Sequence, residues 1–170
     1  MARHPEPMLA KSGPLPEGPD WRFELKLDGF RAIVSTTGGL RVRSRRGWRM
    51  ESLLPELADL PPRLTLDGEL VAWGDDKLPS FPRLCERMLH GRVGISIAFM
   101  IFDVLEWRGA PTLDWPYRQR RELLEDLDLR GSHWDTAMVF EDGPKPVEPF
   151  GKAAQRLARR RKRAAILRSL

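Results

Sequence analysis

The sequence feature that most constrains the fold is a pair of short strand-like segments joined through two glycines. The segments are residues 31–36 and 40–45, and Gly38-Gly39 stands between them. Adjacent glycines supply the positive φ angles that a tight hairpin needs. A further alternating segment, LTLDGELVAW, follows at 64–73. The chain is therefore predicted to build an antiparallel sheet.

The other periodic segments are strands and helices whose order does not alternate strictly. Strands are predicted at 21–28, 95–105 and 136–140, and helices at 81–90, from Pro116 through PYRQRRELLEDL, and at ESLLPELADL, which Pro55 interrupts. This order favours an α+β domain with antiparallel sheets and flanking helices over a doubly wound parallel sheet.

Bulk composition limits the partners and the compartment. A formal net charge of +5 and a pI near 9.9 make a polyanionic partner physically reasonable. Cys85 is the single cysteine, which excludes an internal disulfide, and its setting predicts a buried helix position. The longest apolar stretch, residues 95–102, is too short to span a bilayer. We therefore expect a cytoplasmic protein without a membrane partner, acting as a monomer.

Composition also divides the chain into three stretches. Residues 1–20 are rich in proline and predict an extended lead-in segment. Residues 21–142 carry the periodic segments, and residues 143–170 form a basic tail of different character around RRRKR.

Lys26 is the first candidate for chemistry. The segment ELKLDGFR places Glu24, Lys26 and Asp28 on one face of the predicted strand. A lysine held against an apolar wall gains nucleophilic character. The competing interpretation is a solvated strand face on which these three charges neutralise one another.

The same segment resembles the KxDGxR signature of the covalent nucleotidyltransferases, which include ATP-dependent and NAD-dependent DNA ligases, RNA ligases and mRNA capping enzymes. Lys26, Asp28, Gly29 and Arg31 match it. The resemblance implies that Lys26 becomes adenylated, and that Glu24, Leu25 and Arg31 bind ATP beside it.

Three later segments resemble family elements in the same order. Arg45 in SRRG matches a ribose contact, Glu69 in LDGELV matches a ribose or metal contact, and Phe102 in FMIFDVLEWRG matches the ring that stacks on adenine. The alternative for the arginines is the exposed face of an edge strand, and we retain it for Arg41 and Arg43. The alternative for Glu69 is a surface carboxylate, and that for Phe102 is a core phenylalanine.

The Pro7-Met8-Leu9 opening and the element spacing resemble the ATP-dependent DNA ligases most. This resemblance implies the covalent nucleotidyltransferase fold, with ATP as substrate, Mg²⁺ held by Glu69, and nicked double-stranded DNA as partner. The family's second glutamate element, its lysine-rich strand and its oligonucleotide-binding domain are not recognised after Phe140. We therefore expect a C-terminally truncated core with weak or no nick sealing.

Two alternatives to a DNA ligase core stay open. One is a non-catalytic fragment that binds nucleic acid through Arg41, Arg43 and the basic tail. The other keeps the lysine chemistry but acts on RNA, as RNA ligases and capping enzymes do.

Overall fold

The structure is a computed structural model that describes residue 18 and residues 21–24, 26–76 and 78–140. The strands are β1 (Phe23–Glu24), β2 (Phe30–Ser35), β3 (Arg41–Ser44), β4 (Leu64–Ala72), β5 (Ile97–Trp107), β6 (Ala110–Pro111), β7 (Trp134–Thr136) and β8 (Val139–Phe140). The helices are α1 (Phe81–His90) and α2 (Tyr117–Asp126). Apart from Gly18, the predicted lead-in at 1–20 contributes no described residue, and the predicted tail at 143–170 lies outside the described residues.

The described residues divide into two compact units. The sheet unit contains Gly29–Val71 and Ser96–Thr136. The α1 unit contains the described residues up to Asp28, the segment Ala72–Ile95, and residues 137–140.

The sheet unit is built on strands in the order β3-β2-β4-β5-β6. The β2–β3 hairpin confirms the prediction from Gly38-Gly39, whose φ angles are 73° and 102°. β2 also pairs antiparallel with β4, with Arg31 opposite Glu69 and Ile33 opposite Asp67. This register fixes which side chains share a face of the sheet.

One strand pair departs from the predicted antiparallel arrangement. In place of the one strand expected at 136–140 there are two short strands, and the first of them, β7, ends at Thr136 and pairs parallel with β5. The second, β8, pairs antiparallel with β1 in the α1 unit. The fold is α+β as predicted, but its larger sheet is mixed.

Helix α2 contributes to the apolar core of the sheet unit. Helix α2 begins after Pro116, as predicted, and packs on β5 with Leu124 fully buried. The Arg120 guanidinium donates to both oxygens of Asp103 on β5, each at 2.9 Å. This bidentate pair ties the helix to the strand.

Helix α1 follows its sequence signals in the α1 unit. Leu84 and Met88, one helical turn apart, are buried. The helix ends at Gly91, whose φ of 66° is the left-handed value that favours glycine after a helix. Cys85 is only half-buried, so the expected buried position was wrong. No helix among the described residues has the length and apolar character needed to cross a membrane.

Two segments are shorter than predicted. Within the described residues, the strand expected at 21–28 is limited to Phe23–Glu24, which pair with Phe140 and Val139 of β8. The helix expected at ESLLPELADL is replaced by two 3₁₀ turns, Glu51–Leu53 and Pro55–Leu57. Pro55 cannot donate the hydrogen bond that would continue the first turn.

Candidate functional site

Arg31 and Asp67 form a bidentate ion pair on neighbouring strands of the sheet unit. Arg31 Nε donates to Asp67 Oδ1 at 3.0 Å, and Nη2 donates to Oδ2 at 2.5 Å. The Arg31 side chain is 17% exposed and that of Asp67 is 5% exposed. Two parallel charge-assisted hydrogen bonds hold the guanidinium in one orientation.

Phe102 lies against this guanidinium. The Arg31 Cζ atom is 5.4 Å from the centroid of the Phe102 ring, which is within cation–π range. Phe102 is on β5, the neighbour of β4, and is 5% exposed. The structure thus brings Arg31, Asp67 and Phe102 together on one face of the sheet.

Glu69 lies on the same face, opposite Arg31 in the register. Gly29, from the KxDGxR-like segment, passes so close to β4 that an added Cβ would lie 2.2 Å from Leu70 O and 2.9 Å from Glu69 Cγ. Only glycine allows this approach. Gly29 therefore sets how closely the backbone just before Arg31 packs on β4.

Glu69 is also the residue predicted to hold a metal ion. Within the described residues, no three His, Cys, Asp or Glu side chains are grouped as a metal site. Magnesium commonly takes one or two protein carboxylates and completes its shell with water and substrate phosphates. A single half-buried carboxylate fits that donor pattern.

Gly68, between Asp67 and Glu69, is packed against β5. A Cβ at this position would lie 2.4 Å from Phe99 Cε2 and 2.5 Å from the Met100 backbone oxygen. Asp67 and Gly68 both lie within β4 and form no turn there.

We expect Gly68→Ala to lower the free energy of unfolding by about 2 kcal/mol, because the obstacle includes backbone that cannot rotate away. Urea denaturation followed by circular dichroism would measure this. Gly74→Ala is the matched control, since its Cβ would meet a side-chain atom, Asp76 Oδ1 at 2.7 Å, that can move. Equal losses for the two variants would contradict the packing argument.

Arg45 stands in a tight loop that we call the arginine loop, residues 44–49. Ser44 shapes it: its carbonyl accepts from Gly47 N at 2.9 Å, and its hydroxyl accepts from Trp48 N at 3.1 Å. The Trp48 ring packs edge-on against Phe30 at 6.3 Å between centroids. Arg45 itself is exposed.

Glu51 anchors both ends of the arginine loop. Its carboxylate accepts from Arg43 Nη1 at 2.6 Å, from Arg49 Nε at 3.2 Å and from Val42 N at 3.4 Å. Burial raises the pKa of Glu51, but its own backbone N–H, the hydrogen bonds from Arg49 and Val42 and the Arg43 charge outweigh it and lower the pKa to about 2. Arg43 is thus ion-paired on the edge strand, whereas Arg41 is exposed.

Because the folded-state pKa of Glu51 is depressed, its stabilising effect is present above the ordinary value of 4.5 and lost as the pH falls toward 2. We expect Glu51→Gln to lower the free energy of unfolding by about 1 kcal/mol at neutral pH, allowing for solvent screening. Thermal denaturation of the wild type and the variant between pH 4.5 and pH 2 would measure how this difference in stability changes. A wild-type to variant difference that does not shrink on acidification would contradict this assignment.

Glu24 and Lys26 belong to the α1 unit. Glu24 lies on β1 opposite Val139 and is only 1% exposed, so the predicted solvated face does not describe it. Lys26 and Asp28 follow the strand and are exposed. The apolar wall expected around Lys26 was therefore wrong. Leu25 lies outside the described residues.

Two acids that form ion pairs with arginines, Asp67 and Glu51, were not singled out from the sequence. They lie in the segments LDGELV and ESLLPELADL, in which no role was predicted for either acid. The local sequence does not predict these ion pairs, because strand pairing or a loop brings each acid to its arginines.

The sequence is similar to a known protein family and to individual known proteins. Residues 7–164 match the protein family described as ATP dependent DNA ligase domain. The multifunctional non-homologous end joining protein LigD of Mycolicibacterium smegmatis is 35% identical over 154 residues, which cover 86% of this chain and 20% of that protein. The chain thus spans about a fifth of the length of this relative.

Solved structures give a consistent result. The ligase domain of M. tuberculosis LigD aligns with a TM-score of 0.69 at 28% identity, covering 96% of this chain and 54% of that one. A mycobacterial DNA ligase D complexed with ATP and MES aligns with a TM-score of 0.66 at 30% identity, covering 79% of this chain and 46% of that one. These neighbours share the α+β architecture described above.

Proposed function

Since this chain belongs to the family of ATP-dependent DNA ligase domains, we propose that it forms a covalent AMP adduct on Lys26 and passes the AMP to DNA. The observation that carries this proposal is the face of the sheet unit on which Arg31, Glu69 and Phe102 lie together. These are the residues for which the sequence motifs predicted nucleotide contacts. We assign the adenylation chemistry to residues 21–142.

In the first step, Lys26 Nζ attacks the α-phosphorus of ATP. A phosphorus–nitrogen bond forms, the bond from the α-phosphorus to the bridging oxygen breaks, and pyrophosphate leaves. The proton lost from the amine passes to water, to which Lys26 is exposed. Positioning and charge stabilisation dominate such phosphoryl chemistry.

The remaining proposed residues bind and orient the nucleotide. Phe102 offers a ring for the adenine, and Arg45 and Glu69 contact the ribose. Arg31, held by Asp67, presents a fixed cation to the polar part of the nucleotide.

Glu24 and Leu25 complete the proposed ATP contacts through their position next to Lys26. Magnesium, which would neutralise phosphate charge when bound, is proposed to be held by Glu69.

The AMP then moves from Lys26 to the 5′-phosphate at a nick in double-stranded DNA, and the adjacent 3′-hydroxyl displaces it to seal the strand. We propose that the chain acts as a monomer in the bacterial cytoplasm, in DNA repair related to the end joining for which its relative is named. We propose that sealing by this chain is weak.

The decisive experiment is incubation of the full chain with α-labelled ATP and magnesium, followed by denaturing electrophoresis and peptide mass spectrometry. An AMP adduct located on Lys26 supports the proposal. Absence of label, or an adduct on another residue, would overturn it. Nicked duplex DNA added to the labelled protein then tests AMP transfer separately.

A non-catalytic nucleic-acid-binding role is the second candidate. It is favoured by the exposed Arg41, Arg45 and Arg46, which have no carboxylate partner among the described residues. Salt-sensitive DNA binding without any labelling at Lys26 would select it.

A further inference from the structure

Arg63 and Arg108 are hydrogen-bonded to each other at one end of the sheet unit, where β4 begins and β5 ends. Arg108 N donates to Arg63 O at 2.8 Å, and Arg63 Nη2 donates to Arg108 O at 2.7 Å. The Arg108 guanidinium also stacks on the Trp107 ring, 4.9 Å from its centroid. Both arginines are exposed. We call Arg63 and Arg108 the arginine corner.

The backbone of both residues is in the left-handed region. The φ angles are 64° at Arg63 and 54° at Arg108. This region disfavours any side chain and favours glycine, and Gly109 is the next residue along the chain. Two long cationic side chains are therefore present where the backbone alone would select glycine, a pattern associated with function.

The charge of the arginine corner is not balanced locally. Neither Arg63 nor Arg108 has a carboxylate ion-pair partner within the part of the chain that the structure describes. Glu106, the nearest acid along β5, accepts a hydrogen bond from Thr37 Oγ1 at 2.7 Å. Arg41 stands at the same end of the sheet, since both Arg41 and Thr65 pair with Ser35.

Within the sheet unit, the corner is separate from Glu69, one of the proposed nucleotide contacts. Arg63 precedes β4, and Glu69 lies further along that strand, roughly 20 Å away at about 3.3 Å per residue. A guanidinium presents several donors to phosphate oxygens in a fixed plane. Exposed and unpaired arginines of this kind make salt-sensitive contacts with a nucleic-acid backbone.

We propose that the arginine corner is a second contact site, at which Arg63 and Arg108 bind the phosphate backbone of duplex DNA. The choice of DNA as the polyanion rests on the proposed function. The hydrogen bond from Arg63 Nη2 to Arg108 O and the Trp107 ring under the Arg108 guanidinium restrict both side chains, so that less side-chain freedom is lost on binding.

The test compares the full chain with the double variant Arg63→Gly/Arg108→Gly, using fluorescence anisotropy of a labelled DNA duplex at increasing potassium chloride. We expect the variant to bind about tenfold more weakly and the slope of log affinity against log salt to fall by about 2. Its melting temperature should be unchanged or higher, because glycine relieves the backbone conformation.

Two further variants separate this contact from its alternatives. Arg63→Lys/Arg108→Lys keeps the charge and should retain most of the affinity. Arg118→Gln removes an exposed charge from α2 and should leave the slope almost unchanged. A wild-type slope in the double glycine variant would overturn the proposal, as would an equal loss in the lysine variant.

Labelling of Lys26 by ATP should be the same in all these variants. If the wild type is not labelled but binds duplex DNA more tightly than the double glycine variant, the adenylation proposal fails while the corner remains supported. If the wild type is labelled and the double glycine variant binds DNA normally, only the corner fails.

Discussion

Replacing Lys26 with arginine is expected to reduce AMP labelling to background, at least about a hundredfold below the wild type, because the nucleophile is lost. Arginine keeps the positive charge and the length of the side chain, but its guanidinium remains protonated and cannot attack phosphorus. Lys26 is exposed, so the free energy of unfolding should change by less than about 0.5 kcal/mol. Labelling and thermal denaturation on the same preparation measure both quantities.

Lys77→Arg is the matched control, since it makes the same chemical change at another lysine. It should label like the wild type. Label retained by Lys26→Arg at the wild-type rate would place the nucleophile elsewhere. A large loss of stability in Lys26→Arg would also count against the assignment, because the lost label would then reflect unfolding.

The parts of the fold that could be predicted are those set by local signals. The β2–β3 hairpin followed from Gly38-Gly39, since few residues other than glycine adopt both φ angles. β4 followed from its alternation, and α1 from its apolar spacing. Each signal lies within or next to the element that it specifies.

The errors arose where the outcome depends on a distant partner. Alternation in residues 21–28 predicted a full strand, but among the described residues β1 is Phe23–Glu24, and its partner β8 is far along the chain. The same alternation placed Glu24 with Lys26, although Glu24 is buried and Lys26 exposed. The parallel pairing of β7 with β5 likewise carries no local signature.

In the candidate site, too, some features could be predicted from local motifs and others depend on distant partners. Motif matching selected Arg31, Glu69 and Phe102, which the structure places on one face. It did not show that Asp67 holds Arg31, because the pairing follows from strand register rather than from the motif. Gly29 and Gly68 belong to the matched segments, but only the packing shows which neighbours exclude a side chain there.

Asp67→Ala is expected to lower the free energy of unfolding by about 3 kcal/mol, because it leaves the largely buried Arg31 cation without its bidentate partner. AMP labelling should also slow by about a hundredfold, since the guanidinium is no longer held. Labelling is to be measured well below the melting temperature, over a range of ATP concentrations. A purely structural role predicts normal labelling under those conditions.

Arg31→Ala and the double variant Arg31→Ala/Asp67→Ala complete a double-mutant cycle. Because the two side chains form one bonded unit, the stability loss of the double variant should be smaller than the sum of the single losses by about 1–3 kcal/mol. Asp67→Asn keeps the shape without the charge and should fall between wild type and alanine. Additive losses would mean that the Arg31–Asp67 pair does not operate as a unit, and Asp67 would then have no positioning role.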